Sequence, residues 1–169
     1  LPPGAADRRL GGPPRPVPDK PPPAFTRIVV ALNGGRSDAR ILRRVLDLAK
    51  PIRAEVVAVH VVEIDWTQPL DANVAEMSED AQRVLDMAET QAEHAGHPLE
   101  AVLVQARDVG AALVDEAVER AADLLVVGLP YRKKFGGDFA IGKIVPYVLK
   151  NAPCAVWVAR EPMPEEYRS

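Results

Sequence analysis

Two short stretches of this chain carry residue types suited to holding an anion. In Leu32-Asn33-Gly34-Gly35-Arg36-Ser37, two glycines let backbone approach a ligand, and Ser37 opens a helical pattern whose free N–H groups attract negative charge. Turns between a strand and a helix also use glycine for geometry alone, so a purely structural turn is the alternative reading. The second stretch is richer. Gly128 ends an apolar run, Gly136 and Gly137 follow, and Gly142-Lys143 opens another helical pattern, with Arg132, Lys133 and Lys134 adding positive charge. A lysine at a helix start opposes the macrodipole by roughly 0.3–1 kcal/mol unless an anion lies between them. A water-screened Lys143 is the competing reading.

Other chemistry is poorly represented. Residues 137–143 satisfy G-x-x-x-x-G-K, but Ile144 stands where a Ser or Thr would ligate magnesium, and the motif follows the fourth strand candidate rather than the first. His94 and His97 straddle Gly96 without a third ligand nearby and read as exposed surface histidines, while His60 reads as a packed strand residue. No structural metal is expected. Cys154 reads as a small buried hydrophobe and cannot form an internal disulfide, because it is the only cysteine. There is no G-x-S-x-G, only three serines occur, and no pair of carboxylates has a compelling spacing. The chain therefore reads as non-catalytic, with slow ATP hydrolysis as the most that could be expected.

The elements that must position these loops follow from the patterning. The chain has 169 residues, 47% of them apolar, enough for one domain with a real core, and its net charge of −3 argues against nucleic acid as a partner. Nine of the 17 prolines fall within residues 1–23, which carry few large apolar side chains and read as a disordered linker. Residues 24–161 read as the domain and 162–169 as a C-terminal tail. Five β-branched runs (28–32, 56–62, 101–105, 124–127 and 155–159) are apolar on both faces, as parallel strands covered by helices would be. Between them, helical periodicity predicts a helix capped by Ser37 and stopping before Pro51. A second ends at Gly96, a third begins near Asp108 and buries Leu113, Ala117 and Ala121, and a fourth spans 142–151. Strand and helix in alternation imply an α/β doubly wound parallel sheet, Rossmann-like, with ligands at the loops after strands one and four.

Taken together, Arg27-Ile-Val-Val-Ala-Leu-Asn33-Gly, Val59-His60-Val61-Val62, Ala122-Asp123-Leu-Leu-Val-Val-Gly128 and the stretch from Gly142 through Val-Leu-Lys-Asn-Ala-Pro-Cys154-Ala-Val resemble the universal stress protein family over about residues 25–160. The resemblance implies a five-stranded sheet of order 3-2-1-4-5, dimerisation through strand five (154–159) and, in one branch of the family, binding of ATP or another adenine nucleotide. It implies nucleotide contacts at Ala31, Asn33, Val61, Val127, Gly128, Tyr131, Gly142, Lys143 and Ile144; the charges of Arg132, Lys133 and Lys134 read as contacts to phosphate or lipid, with a solvated basic loop as the alternative. The fit to the family's G-x2-G-x9-G-[ST] signature is partial: Asn33 replaces an aspartate, Tyr131 replaces the second glycine, the spacing to Gly142 is one residue longer, and Lys143 replaces Ser or Thr.

The departures, with the proline-rich leader, resemble the version of this domain appended to the cytoplasmic C-terminus of amino-acid permeases. That resemblance implies a cytoplasmic domain tethered at the inner face of the membrane, and Leu1 in place of methionine fits a segment of a longer chain. The functional expectation is a regulatory domain that senses an adenine nucleotide. A nucleotide-free dimerisation or docking module is the alternative.

Overall fold

The computed structural model describes residues 24–69, 75–133 and 139–168, with the side chains of 75–78 outside the description. The expected linker and Lys134, Gly136 and Gly137 lie outside the described residues. Five strands alternate with four helices: β1 (Arg27–Leu32), α1 (Asp38–Ile52), β2 (Glu55–Glu63), α2 (Ala75–Ala95), β3 (Glu100–Ala106), α3 (Val109–Glu119), β4 (Leu124–Leu129), α4 (Ile144–Asn151) and β5 (Ala155–Arg160), followed by a short 3-10 turn at Glu165–Tyr167. All pairings are parallel and the strand order is β3-β2-β1-β4-β5, as expected.

The two faces of the sheet build two cores. One packs Ile28, Val30 and Leu32 against α1 and α2 through Leu42, Leu46 and Ala88; the other packs Val29, Val59 and Val127 against α3 and α4 through Leu113 and Val148. β1, most of β2 and most of β4 are accordingly buried, but β3 and β5 are edge strands with exposed positions, so the expected two-sided burial does not extend to them. Trp157 on β5 is half exposed and meets Phe25 edge-on, with ring centroids 5.3 Å apart.

Several boundaries differ from expectation. α1 continues through Pro51 to Ile52, because a proline in a last turn forfeits a single N–H, and the chain closes the helix at Arg53 (φ 55°), whose neighbour Ala54 donates back to the Ala49 carbonyl at 3.1 Å. Ser37 occupies the N-cap position of α1, but its side chain makes no capping bond and its hydroxyl is engaged elsewhere. Ala121 is exposed with φ 49° beyond the end of α3, where it turns the chain toward β4, and Val118 is exposed as well, so neither belongs to the buried stripe. α4 starts at Ile144 rather than Gly142. His97 is buried, donating from Nε2 to the Ala54 carbonyl at 2.7 Å, which corrects its reading as a surface residue; His60 is half-buried and donates from Nδ1 to the Leu32 carbonyl at 2.9 Å. Cys154 is half-buried rather than buried, and burial pushes its thiol pKa up, away from nucleophilic use.

The N-terminal ends of the strands are joined by polar contacts. Asp123, just before β4, accepts from the Thr26 amide and hydroxyl at 2.7 Å each and from the Arg27 amide at 3.1 Å. Arg27 pairs with Glu55 at the start of β2, while Arg120 bridges Glu116 and Glu100, the latter at the start of β3. The site lies at the other end of the sheet.

Candidate functional site

A cleft of about 710 Å³ opens at the C-terminal ends of β1, β2 and β4, where a doubly wound sheet reverses its direction of winding. Its apolar lining comes from Ala31 on β1, Val61 on β2 and Val127 on β4, with Val109 and Leu113 of α3 behind them. Asn33 and Gly34 follow β1; Gly128 is near the end of β4, with Tyr131 and Arg132 on the segment leaving it; Gly142 and Lys143 lead into α4, which Ile144 opens. All nine sequence-singled residues from Ala31 to Ile144 thus line one cavity, although they come from four separate segments. Arg132 joins them, whereas the Lys133 ammonium lies over the Tyr167 ring at 4.2 Å instead.

Local geometry explains two glycines. A Cβ at Gly128 would come within 3.0 Å of Ile41 Cδ1, so glycine allows α1 to pack close to the end of β4. Gly142 adopts φ +74°, and a side chain there would meet nothing within 4 Å, so conformation rather than crowding demands glycine.

The loop after β1 is more self-contained than its glycines suggest. Buried Asp38 accepts from the Asn33 amide at 3.2 Å and the Gly34 amide at 2.8 Å, while Asn33 Oδ1 accepts from the Gly35 amide at 2.7 Å. These three N–H groups are satisfied by the protein and are not offered to an anion. Burial pushes the Asp38 carboxyl pKa up, opposed by the two amides and by nearby His60.

The Tyr131 ring packs on Phe139 and Tyr167, with centroids 5.2 and 5.8 Å away, and the Arg160 guanidinium lies 5.2 Å from its centroid. This cluster holds the ring while the cleft beside it keeps its volume, so Tyr131 does not close the crevice. Beneath it, the strand-like contact of Lys133 with Phe139 and the bond from the Ala140 amide to the Arg132 carbonyl at 2.8 Å fasten the base of the loop that leaves β4. The 162–168 segment meets this cluster through Tyr167.

Two lining carboxylates were not anticipated. Glu63 ends β2, and Glu161 follows β5. The Glu161 carboxylate accepts from the Ser37 hydroxyl through Oε1 and from the Tyr131 amide through Oε2 at 3.4 Å, and its own amide donates to the Leu129 carbonyl at 2.8 Å. No signal in the local sequence marks Glu161, since only the pairing of β5 with β4 carries it to the cleft. Among the described residues no cluster of three or more His, Cys, Asp or Glu is arranged to hold a metal, and no helix is long and apolar enough to cross a membrane.

The model of the Universal stress protein family matches residues 24–160. A universal stress protein of Methanocaldococcus jannaschii is 26% identical over 148 residues, spanning 83% of this chain and 85% of that protein. Two solved structures share the fold: a universal stress protein in complex with cAMP (23% identity, TM-score 0.60, 80% of this chain and 97% of that one) and one from Archaeoglobus fulgidus in complex with dAMP (20%, 0.58, 79% and 97%).

Proposed function

This chain belongs to the universal stress protein family, and on that premise we propose that its cleft binds an adenine nucleotide and that the domain acts as a non-catalytic sensor. The observation that carries the reading is the convergence of an apolar floor at Ala31, Val61 and Val127 with cationic and glycine positions at Arg132, Gly142 and Lys143 in one cavity of about 710 Å³. Such a site offers a flat base apolar contact and its phosphate a positive rim. The adenine nucleotides bound by the two solved relatives support the same class of ligand. The phosphate loop is degenerate: Lys143 supplies charge where a hydroxyl would supply geometry, and the β1 loop amides are already occupied by Asp38 and Asn33.

Ligand binding stabilises a folded protein by RT ln(1 + [L]/Kd), about 2.7 kcal/mol at a hundredfold excess over Kd. Millimolar AMP, ADP, ATP or cAMP is therefore expected to raise the melting temperature. No shift with any of the four overturns the reading in favour of a nucleotide-free dimerisation or docking module.

The proposal extends to assembly and setting. β5 is an edge strand with Trp157 and Val158 exposed, which supports homodimerisation along it. Arg132 and Lys133, both exposed, together with the Gly142-Lys143 start, support a cytoplasmic domain appended to an amino-acid permease at the inner membrane face, where each basic residue near anionic lipid contributes about 1 kcal/mol.

A further inference from the structure

We propose that Glu161 limits the ligand to a nucleoside or nucleoside monophosphate by holding a fixed negative charge where a second and third phosphate would lie; this rests on the adenine-nucleotide reading of the cleft. Glu161 is not a loose surface acid. Its two carboxylate oxygens are met by neutral donors from two segments, the buried Ser37 at the start of α1 and the Tyr131 amide on the segment leaving β4. Its backbone is fixed by the Leu129 carbonyl. The half-buried charge therefore sits in the cleft lining, and it takes up donors that a phosphate chain would otherwise use.

Val61 lies on β2, Ala31 on β1 and Gly128 on β4; the Glu161 backbone lies just beyond β5, three strand spacings from β2 or about 14 Å at 4.7–4.9 Å each, and its carboxylate reaches back to Ser37 after β1 and to the Tyr131 amide after β4. A ligand with its base against Val61 passes over the end of β1 and brings its first phosphate to β4, between Gly128 and the Gly142-Lys143 turn. Of the three cations lining the cleft, Lys143 and Arg132 flank that phosphate, while Arg36 follows β1. Each further phosphate leads into the gap between Ser37 and Tyr131 that the half-buried Glu161 carboxylate occupies, and meets a like charge there.

Calorimetric titration of the full chain with adenosine, AMP and ATP tests this. The wild-type chain is expected to bind AMP at least about tenfold more tightly than ATP, and Glu161→Gln, which keeps the shape and removes the charge, to tighten ATP about tenfold while adenosine is unchanged. Ser37→Ala removes one hydrogen-bond partner but keeps the charge, so it is expected to retain the preference for AMP. A wild-type preference for ATP, an AMP-to-ATP ratio unaltered in Glu161→Gln, or a preference lost in Ser37→Ala overturns the role of Glu161 while leaving the adenine site intact. Absence of binding by adenosine and AMP to both the wild type and Glu161→Gln removes the adenine-nucleotide reading itself.

Discussion

The Asp38 carboxylate, buried at the first residue of α1, holds the Gly34 amide at 2.8 Å. Together with its bond to Asn33, this contact shapes the turn after β1 from inside the protein. Asp38→Ala leaves two amides without their acceptor, and a loss of about 1–3 kcal/mol is expected in urea unfolding.

The same residue bends the acid limb of stability in an unusual direction. Burial raises its folded pKa above the ordinary 3.8, so the folded state holds its proton longer than the unfolded chain does. Its contribution is fully present below that value and is lost as pH rises through the folded pKa. Asp38→Asn is expected to remove this downward slope from the stability–pH curve measured from pH 3 upward.

Asp123 bends that limb the opposite way. Burial raises its pKa, but the Thr26 amide and hydroxyl and the Arg27 amide outweigh burial and leave it lowered. Its contribution is present above 3.8 and lost as pH falls through the lower folded value. Asp123→Asn is expected to be less stable than the wild type at neutral pH by about 1–3 kcal/mol, a gap that closes on acidification in denaturant titrations at a series of pH values.

Gly142 separates backbone strain from ligand contact. With φ +74° and open space around it, Gly142→Ala is expected to cost about 1–2 kcal/mol without a clash. Gly142→Asp adds a carboxylate to the cleft and is expected to abolish the nucleotide-dependent rise in melting temperature proposed for the wild type. An equal rise in the Asp variant places the phosphate elsewhere.

Trp157 tests the proposed assembly. Trp157→Lys puts a charge on the β5 edge and is expected to weaken self-association at least about tenfold in sedimentation velocity, with the fold retained by circular dichroism.

What could be read from the chain depended on how far each residue's partner lies in sequence. Asp108 caps α3 by accepting the Ala111 amide at 2.8 Å, three residues away, and Gly96 ends α2 with φ 65°. Both are local and were legible. Ser37 carries the same signature of a cap, but its hydroxyl goes to Glu161, 124 residues on, and His97 is buried by a carbonyl 43 residues back. Neither partner leaves a trace in the neighbouring residues. The cleft was legible where glycines and apolar strand ends met, because alternating strands and helices imply a doubly wound sheet that binds at its strand ends, while the strand order itself came from the family resemblance. Its two carboxylates were not, since Glu63 and Glu161 look like ordinary solvated acids at strand ends.

The contacts among Asp123, Thr26, Arg27, Glu55, Arg120 and Glu100 sit at the pole of the sheet away from the crevice. These polar ties and the crevice thereby lie at opposite ends of one scaffold. Side-chain changes at Asn33, Tyr131 or Lys143 leave that clasp untouched, which leaves room for descendants with the same body and a different appetite.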